Sequence, residues 1–381
     1  MNIKFPLVVG LALVMAGCQS TSPPLATHPS NLPTLKDAFK NDFLIGAALN
    51  PGQYTGSNAR ESELVARQFN STTPENCLKW ENVHPAPDRY DFTLADRYVD
   101  FGVKHHMFII GHTLVWHSQV PGWVFQDASG QPLTRDALLA RMHDHIATVV
   151  GRYRGRIQGW DVVNEAVNDD GTMRESQWRK IIGPDFILQA YQFAHEADPA
   201  AELYYNEYSL ENPDKRAGAV RLIKELQAQG VQLTAIGLQG HYGLDWPGLA
   251  QVNETIDTFA QLGLKVNLTE LDVNVLPTAG HNPSADVSLS YQASARLNPY
   301  TNGLPDSVQQ RLTHRYAELF ATFVQHRQDM ERVTLWGVTD GNSWLNDWPI
   351  RGRTNYPLLF DRAGQPKPAL AAVLATAQSK P

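Results

Sequence analysis

The stretch "GWDVVNEAVND" spans residues 159–169 and joins an apolar run to two polar side chains, Asn164 and Glu165. An apolar, β-branched run of this length is typical of a strand buried inside a parallel sheet. The polar pair stands where such a strand would end. A single polar residue at that point is usually a cap or a solvated turn residue, so the rest of the chain decides what this carboxylate does.

Seven more runs of this kind alternate with amphipathic helical patterns. The eight candidate strands are 43–49, 68–73, 107–113, 157–164, 202–206, 234–239, 264–270 and 332–338. Apolar residues recur at helical spacing between them, for instance over 137–152, 185–197, 214–229 and 306–328. Eight strands alternating with helices in 381 residues predict an α/β fold, a (β/α)8 TIM barrel, rather than an open doubly wound sheet.

Composition and charge narrow the function classes. The chain is 43% hydrophobic and 19% charged, as expected of a protein that can bury a large core. Its net charge of -7 and the lack of any Lys and Arg run argue against nucleic acid as a partner. No Gly-rich phosphate fingerprint follows the first strand, which disfavours nucleotide binding. We therefore expect no cofactor. We also expect the protein to be a monomer.

The N-terminus is typical of an export signal. Lys4 precedes an apolar segment, 5–15, that is too short to span a bilayer as a permanent helix. The following letters "MAGCQS" resemble the bacterial lipoprotein processing box, with Cys18 as the residue that would be acylated. We therefore predict a signal peptide over 1–17 and a lipid anchor in the cell envelope, and Gln19 favours the outer membrane.

Residues 18–36 are predicted to form a flexible tether, because 21–31 are rich in Pro, Ser and Thr. The alternative is a plain cleaved signal peptide with an incidental cysteine, which would make the protein secreted. The lipid anchor would be the chain's sole membrane attachment. Cys77 is the one other cysteine, and we interpret it as a small buried thiol.

Polar residues end six of the eight candidate strands. In a barrel, these positions converge on the C-terminal face, where the active sites of this architecture lie. They are Glu75 with Asn76, His112, Glu165, Asn206, Gln239 and Glu270, accompanied by Trp116, Trp336 and Trp344. Such a mixture predicts a pocket for a polar ligand with flat apolar faces, and sugars fit that description.

Glu165 and Glu270 end strands four and seven, so they can face each other across the barrel mouth. Paired carboxylates are the equipment for cleaving a glycosidic bond, one neutral as the acid and one ionised. Asp272 lies two residues after Glu270 and could hold His241, which could in turn donate to Glu270. The alternatives are an ion-pair member for either glutamate and a rim histidine for His241. His112 and His117 do not have the spacing of a metal site.

Six segments together resemble glycoside hydrolase family 10, the endo-1,4-β-xylanases, over about residues 37–375. They are "TPENCLKWENVHP" (73–85), "GHTLVWHSQVPGW" (111–123), "WDVVNEA" (160–166), "LQGH" (238–241), "TELDV" (269–273) and "WGVTDGNSWL" (336–345). The resemblance implies one catalytic domain, 37–378, that hydrolyses xylan or xylo-oligosaccharides with retention of configuration. It also implies that Glu270 is the nucleophile and Glu165 the acid and base, with carboxyl groups about 5–5.5 Å apart.

The same resemblance implies a set of sugar-binding residues. Asn164 would bind the 2-hydroxyl of the reacting sugar. The subsite of that sugar would be lined by Lys79, His112, Gln239 and His241. The next sugar outward would be bound by Glu75 and Asn76. The walls would be Trp116, Trp336 and Trp344, of which the last two crowd a hydroxymethyl group, and Tyr205 would stack on the leaving-group side. Asp272 would not touch the sugar and would support the site through His241.

Two features depart from the family pattern or extend it. The chain has "NEYS" (206–209) where the family usually reads Asn-Asp-Tyr-Asn, which puts leaving-group contacts there in doubt. A long loop, 273–308, follows strand seven and is predicted to edge the groove. Two alternatives to a xylanase stay open, a barrel glycosidase acting on a β-1,4-glucan and a surface lipoprotein that binds carbohydrate without catalysis.

Overall fold

The computed structural model describes Met1 and residues 33–278 and 286–378. The chain divides into two compact units, Met1–Leu32 and Pro33–Pro381. The predicted signal peptide and Cys18 lie outside the described residues, apart from Met1. The second unit begins before the predicted boundary at 37, because Thr34 caps a first helix and Leu35 within that helix is fully buried.

The eight predicted strands form a closed parallel barrel, which confirms the predicted fold. With one additional short strand, β7, the strands of the described ranges are β1 (Leu44–Leu49), β2 (Ser71–Pro74), β3 (Phe108–Val115), β4 (Gly159–Asn164), β5 (Glu202–Glu207), β6 (Ala235–Leu238), β7 (His241–Gly243), β8 (Lys265–Asn274) and β9 (Met330–Leu335). The barrel runs from β1 through β6 to β8 and β9, and β9 pairs with β1. The short β7 lies beyond β6 and pairs with the outer end of β8.

Helices connect the strands and cover the barrel. Those of the described ranges are α1 (Leu35–Ala38), α2 (Pro51–Tyr54), α3 (Ala59–Gln68), α4 (Trp80–Val83), α5 (Thr93–Lys104), α6 (Arg135–Arg152), α7 (Gln177–Ile182), α8 (Phe186–Ala197), α9 (Pro213–Ala228), α10 (Leu249–Ala260), α11 (Asp306–Gln325) and α12 (Pro368–Thr376). The four helical segments that the apolar spacing predicts correspond to α6, α8, α9 and α11. Within 33–278 and 286–378, no helix combines the length and the apolar character needed to cross a membrane.

The quoted stretch occupies the centre of this packing. All six residues of β4 are buried, as expected of a strand with neighbours on both sides and helices outside. Trp160 lies directly against Gly111 of β3, where a Cβ atom would come within 2.1 Å of the indole ring. Glycine is therefore required at 111, where β3 pairs with the first half of β4.

The long loop after β8 is described in part. Residues 279–285 lie outside the described ranges, and the described parts contain one short 3-10 helix, Ala295–Leu297, before α11 begins at Asp306. Asp286 lies 3.7 Å from Arg174, which follows β4. The start of the described loop therefore reaches the rim beside the end of β4.

Candidate active site

The carboxyl ends of the barrel strands enclose a cavity of about 180 Å³. Its lining side chains are Glu75, Asn76, Lys79, His112, Trp116, Gln119, Asn164, Glu165, Gln239, His241, Glu270, Val287, Trp336 and Trp344. Nearly all of them come from segments that follow β2, β3, β4, β6, β8 and β9. The predicted convergence of strand ends thus produces a single polar cavity with aromatic walls.

Glu165 is the first residue after β4, and its backbone has a φ of 58°, in the left-handed region that side-chain-bearing residues seldom adopt. Its carboxyl group is buried and accepts three hydrogen bonds from neutral donors. Trp116 Nε1 lies 2.8 Å from Oε2, while Gln239 Nε2 and Asn164 Nδ2 lie 2.9 Å and 3.2 Å from Oε1. Among the described residues, the carboxyl group is held by these neutral donors, and no Lys or Arg side chain is bonded to it.

Glu270 lies within β8 and meets different donors. Its Oε1 accepts a hydrogen bond from Asn206 Nδ2 at 2.8 Å, and its Oε2 lies 3.2 Å from His241 Nε2. The other ring nitrogen of His241 lies 3.1 Å from Asp272 Oδ2. The predicted relay from Asp272 through His241 to Glu270 is therefore present in the structure.

The pKa values of the two glutamates are shifted in opposite directions. Burial, reinforced by the negative charge of Glu207, raises the pKa of Glu165 to about 7. Burial also pushes the pKa of Glu270 upward, but the hydrogen bond and charge of His241 outweigh it, and the pKa of Glu270 is lowered overall. Asp272 raises the pKa of His241 to about 10 against the effect of burial. Below pH 7 the protonated form of Glu165 therefore predominates beside an ionised Glu270 carboxylate.

Amide side chains connect these two carboxyl groups. Asn206 Nδ2 donates to Glu270 and also to Asn164 Oδ1 at 3.0 Å, and Asn164 in turn contacts Glu165. Thr269 Oγ1 donates to Asn206 Oδ1 at 2.6 Å, which fixes the orientation of that amide. The groups are therefore positioned by one hydrogen-bonded network rather than by separate contacts.

Lys79 lines the cavity together with Asn76, Trp116 and Gln119. Its Nζ donates to Asn76 Oδ1 at 3.0 Å and to Gln119 Oε1 at 2.7 Å, and it lies 5.0 Å from the centre of the Trp116 ring. Burial lowers the pKa of Lys79, although the surrounding glutamates oppose that effect. Burial also raises the pKa of Glu75 to about 7. This part of the cavity offers several donors and acceptors to a hydroxylated ligand.

Two tryptophans form the apolar wall. Trp344 Nε1 donates to Asp272 Oδ2 at 2.8 Å, so the residue that holds His241 also fixes this indole. Trp336 packs edge-on against His112, with ring centres 5.6 Å apart. His112 Nδ1 in turn lies 2.8 Å from Asp161 Oδ2. The flat faces of the wall are thus oriented by buried carboxylates.

A proton donor and an ionised nucleophile on one cavity are the arrangement that retaining glycosidases use. The family model for glycosyl hydrolase family 10 matches residues 34–376, which is most of the chain. The chain belongs to glycosyl hydrolase family 10. The predicted family resemblance is therefore confirmed.

Named relatives agree with this family membership. The chain is 46% identical to endo-1,4-beta-xylanase A of Xylanibacter ruminicola, across 92% of this chain and 95% of the relative. It is 41% identical to an endo-1,4-beta-xylanase of Geobacillus stearothermophilus, across 91% and 99%. A solved GH10 endoxylanase from a sugarcane soil metagenome superposes with a TM-score of 0.88 at 47% identity, across 90% and 99%.

The structure of this family 10 member brings together almost every predicted site residue. All of the predicted side chains line the cavity except Asp272, which lies behind His241 as predicted, Asn206, which is buried beneath it, and Tyr205. The prediction for Tyr205 is wrong, because this side chain is 0% exposed and its hydroxyl donates to Glu207 Oε2. Adjacent residues of a strand face opposite sides, so Asn206 can bond Asn164 and Glu270 whereas Tyr205 cannot. Among the described residues, no group of three His, Cys, Asp or Glu side chains could hold a metal ion.

Two cavity-lining positions, Gln119 and Val287, are missing from the predicted set. Asn206, which the sequence predicts among the polar strand-end residues, lies in β5 opposite Asn164 of β4 and donates to Glu270. Gln119 lies in a loop within a quoted family segment, where no strand or helix period marks it. Val287 follows the undescribed part of the long loop, and the sequence contains no signal for its position.

The unusual "NEYS" segment has an unexpected position. Glu207 and Tyr208 are buried and do not line the cavity that holds Glu165 and Glu270. Ser209 instead lines a neighbouring cavity of about 430 Å³. The departure at 207 therefore changes the support behind the site rather than its sugar-facing surface.

Proposed function

We propose that this family 10 member is a retaining endo-1,4-β-xylanase that cleaves internal β-1,4-xylosidic bonds of xylan and xylo-oligosaccharides. The observation that carries the proposal is the pair of carboxyl groups, Glu165 and Glu270, which one hydrogen-bonded network links and whose pKa values are shifted in opposite directions. The names of the similar proteins support the same substrate class. The geometry favours catalysis over mere carbohydrate binding, since a buried relay that keeps Glu270 ionised serves no obvious purpose in binding alone.

In the first step, the Glu270 carboxylate attacks the anomeric carbon while the glycosidic C–O bond breaks. Glu165 transfers its proton to the departing oxygen, and a glycosyl-enzyme forms. In the second step, Glu165, now ionised, takes a proton from water as the water oxygen attacks the same carbon and releases Glu270. The pKa of about 7 suits Glu165 to both roles near neutral pH.

Substrate binding follows from the rest of the lining. Asn164 lies beside Glu165 and is linked to Glu270 through Asn206, where it can bond the 2-hydroxyl of the reacting sugar as the transition state forms. Glu75, Asn76 and Lys79 offer polar contacts to the next sugar. Trp336 and Trp344 would crowd a hydroxymethyl group, so a pentose fits better than a hexose.

The direct test follows the products from polymeric xylan. We expect reducing ends to appear from xylan and the first-formed sugar to have the β configuration in a proton NMR time course. An α product would refute the retaining assignment. Binding of xylo-oligosaccharides without hydrolysis would instead favour the non-catalytic alternative.

One relative supports a second candidate, activity on a β-1,4-glucan. The chain is 36% identical to a protein named exoglucanase XynX from Acetivibrio thermocellus, although the match covers 30% of that longer protein. We expect a clear preference for xylan over carboxymethylcellulose in reducing-sugar release. A preference for the glucan would refute the assigned specificity and leave the retaining mechanism intact.

We also propose that the enzyme is lipid-anchored in the cell envelope through Cys18, most simply in the outer membrane. The "MAGCQS" segment after the apolar N-terminal run supports this. Labelled fatty acid should be incorporated into the native chain and not into a Cys18→Ala variant. Equal labelling of both, or a protein recovered free in the medium, would favour the secreted alternative.

A further inference from the structure

The backbone that presents Glu165 is fastened to the end of β5. Three successive N–H groups after β4 each donate to a different acceptor there. The bonds run from Glu165 N to Asn206 O (3.0 Å), from Ala166 N to Tyr205 Oη (3.0 Å) and from Val167 N to Glu207 Oε2 (3.1 Å). This turn is therefore held by two side chains and one carbonyl of the neighbouring strand.

The turn needs such support because Glu165 has a left-handed φ of 58°. A residue with a Cβ atom adopts that conformation when surrounding contacts impose it. Arg174 Nε adds a further bond, donating to Glu165 O at 3.0 Å. If the contacts from β5 were lost, the carboxyl group would be free to leave its place in the cavity.

Glu207 is a buried charge with its own partners. It is 0% exposed, Tyr205 Oη donates to its Oε2 at 2.7 Å, and Lys215 Nζ lies 3.0 Å from its Oε1. Lys215 also lies 3.1 Å from Asp169, in the loop that follows the turn. A fully buried carboxylate with a cation and three further donors, from Val167 N, Tyr205 Oη and Tyr208 N, is a fixed anchor rather than a flexible contact.

We propose that Tyr205 and Glu207 are positioning residues that clamp the turn after β4 and so aim the Glu165 carboxyl group at the glycosidic oxygen. The inference rests on the proposed function and extends it to two residues that do not touch the sugar. It also gives a role to the Glu at 207, where the family usually has Asp. The clamp controls the proton transfer of Glu165 and not the nucleophilic attack of Glu270.

The clamp also contributes charge to Glu165. The titratable and charged groups that face Glu165 come from several elements: Lys79, His117, Arg174, Glu207 and Glu270. After burial, Glu207 has the largest effect, and it favours the protonated form of Glu165. Burial lowers the pKa of His117 to about 4, so that imidazole is neutral and does not compensate. Loss of the Glu207 charge should therefore lower the pKa of Glu165.

Two variants and two matched controls test the clamp in the full-length enzyme. Glu207→Gln removes the charge, and Tyr205→Phe removes the bond to Ala166. Glu211→Gln and Tyr191→Phe make the same changes at buried residues whose hydrogen bonds go to Tyr242 and to the Tyr204 carbonyl. The readouts are kcat/KM for xylobiosides with a poor and a good leaving group, and the pH profile of kcat/KM.

We expect each clamp variant to lose roughly 10- to 100-fold in kcat/KM on the poor leaving group, because a misplaced acid cannot donate efficiently. The good leaving group needs no acid, so its kcat/KM should hold. The basic limb of the profile should move to lower pH by about one unit in Glu207→Gln, as expected when a nearby charge is removed. The controls should show neither effect.

Equal losses on both substrates, no loss, or an unmoved basic limb in Glu207→Gln would overturn the clamp. Circular dichroism and thermal unfolding check that the variants fold. If Glu207→Gln does not fold, the leaving-group selectivity of Tyr205→Phe decides by itself. A wild-type enzyme that cuts no xylan would refute the proposed function, whereas an active wild type with unselective variants would refute the clamp alone.

Discussion

Glu165, directly after β4, and Glu270, within β8, are the same side chain with pKa values shifted in opposite directions. Glu165 and Glu270 are 3% and 5% exposed, and burial pushes the pKa of both upward. They differ in their partners, since Glu165 meets an indole, two amides and the negative charge of Glu207, whereas Glu270 meets the cationic His241. The charge of the supporting residues, and not the depth of burial, therefore decides which glutamate keeps its proton.

The largest effect should come from removing the ionised member. Glu270→Ala deletes the nucleophile, and we expect kcat on xylan to fall roughly 10⁴-fold or more, since losing a nucleophile removes most of the catalytic power of such sites. Azide should restore turnover and yield a glycosyl azide of inverted configuration. The control is Glu63→Ala, at an exposed glutamate on α3. Undiminished hydrolysis by Glu270→Ala would contradict the assignment.

Removing the protonated member should be less damaging and selective. Glu165→Ala loses the general acid, and we expect kcat/KM for a poor leaving group to fall roughly 10²- to 10⁴-fold, which is the usual contribution of such a group. A dinitrophenyl xylobioside should keep its kcat/KM, because its leaving group departs without a proton. Steady-state kinetics on the two substrates measure the ratio, and equal losses would count against the assigned role.

Removing the positive charge of His241 beside Glu270 should reduce the difference between the pKa values of Glu270 and Glu165. His241→Gln removes the imidazolium that lowers the pKa of Glu270, so that pKa should rise and the acidic limb of kcat/KM should move to higher pH. We expect roughly a 10- to 100-fold loss near neutral pH, as is typical when an orienting partner is removed. His314→Gln, at an exposed histidine, is the control. An acidic limb that stays in place would show that His241 does not set this pKa.

The fold and most of the site could be predicted because both depend on period and order along the chain. Apolar runs of strand length identified the barrel, and the polar residue after each run identified the side chains at its mouth. The relay of Asp272 and His241 could be predicted since residues two apart share one face of a strand. These features follow from local sequence and the architecture alone.

What could not be predicted depends on contacts between elements. The wrong prediction for Tyr205 assigned to the groove a residue that faces away from it, whereas its neighbour Asn206 donates a hydrogen bond to Glu270. The importance of Glu207 rests on the left-handed turn at Glu165, and no residue type at 165 indicates that turn, since glycine would be the usual signal. Gln119 and Val287 reach the site from loops without any period.

The smallest expected effect concerns stability and separates the two glutamates without any substrate. The folded-state pKa of Glu165, about 7, exceeds its ordinary value of 4.5, so the folded protein holds this proton more tightly than the unfolded chain does. Its contribution to stability is thus highest below pH 4.5, falls as the pH rises and is lowest above pH 7.

Glu165→Gln should therefore raise the free energy of unfolding by about 1–3 kcal/mol at pH 8 and by little at pH 4, as measured by urea denaturation. Glu270→Gln should lower it at pH 8, because the variant leaves the cationic His241 with a weaker acceptor. If the free energy of unfolding changed in the same direction in both variants, burial alone would govern the two pKa values. The difference between Glu165 and Glu270 would then not come from the charges of their partners.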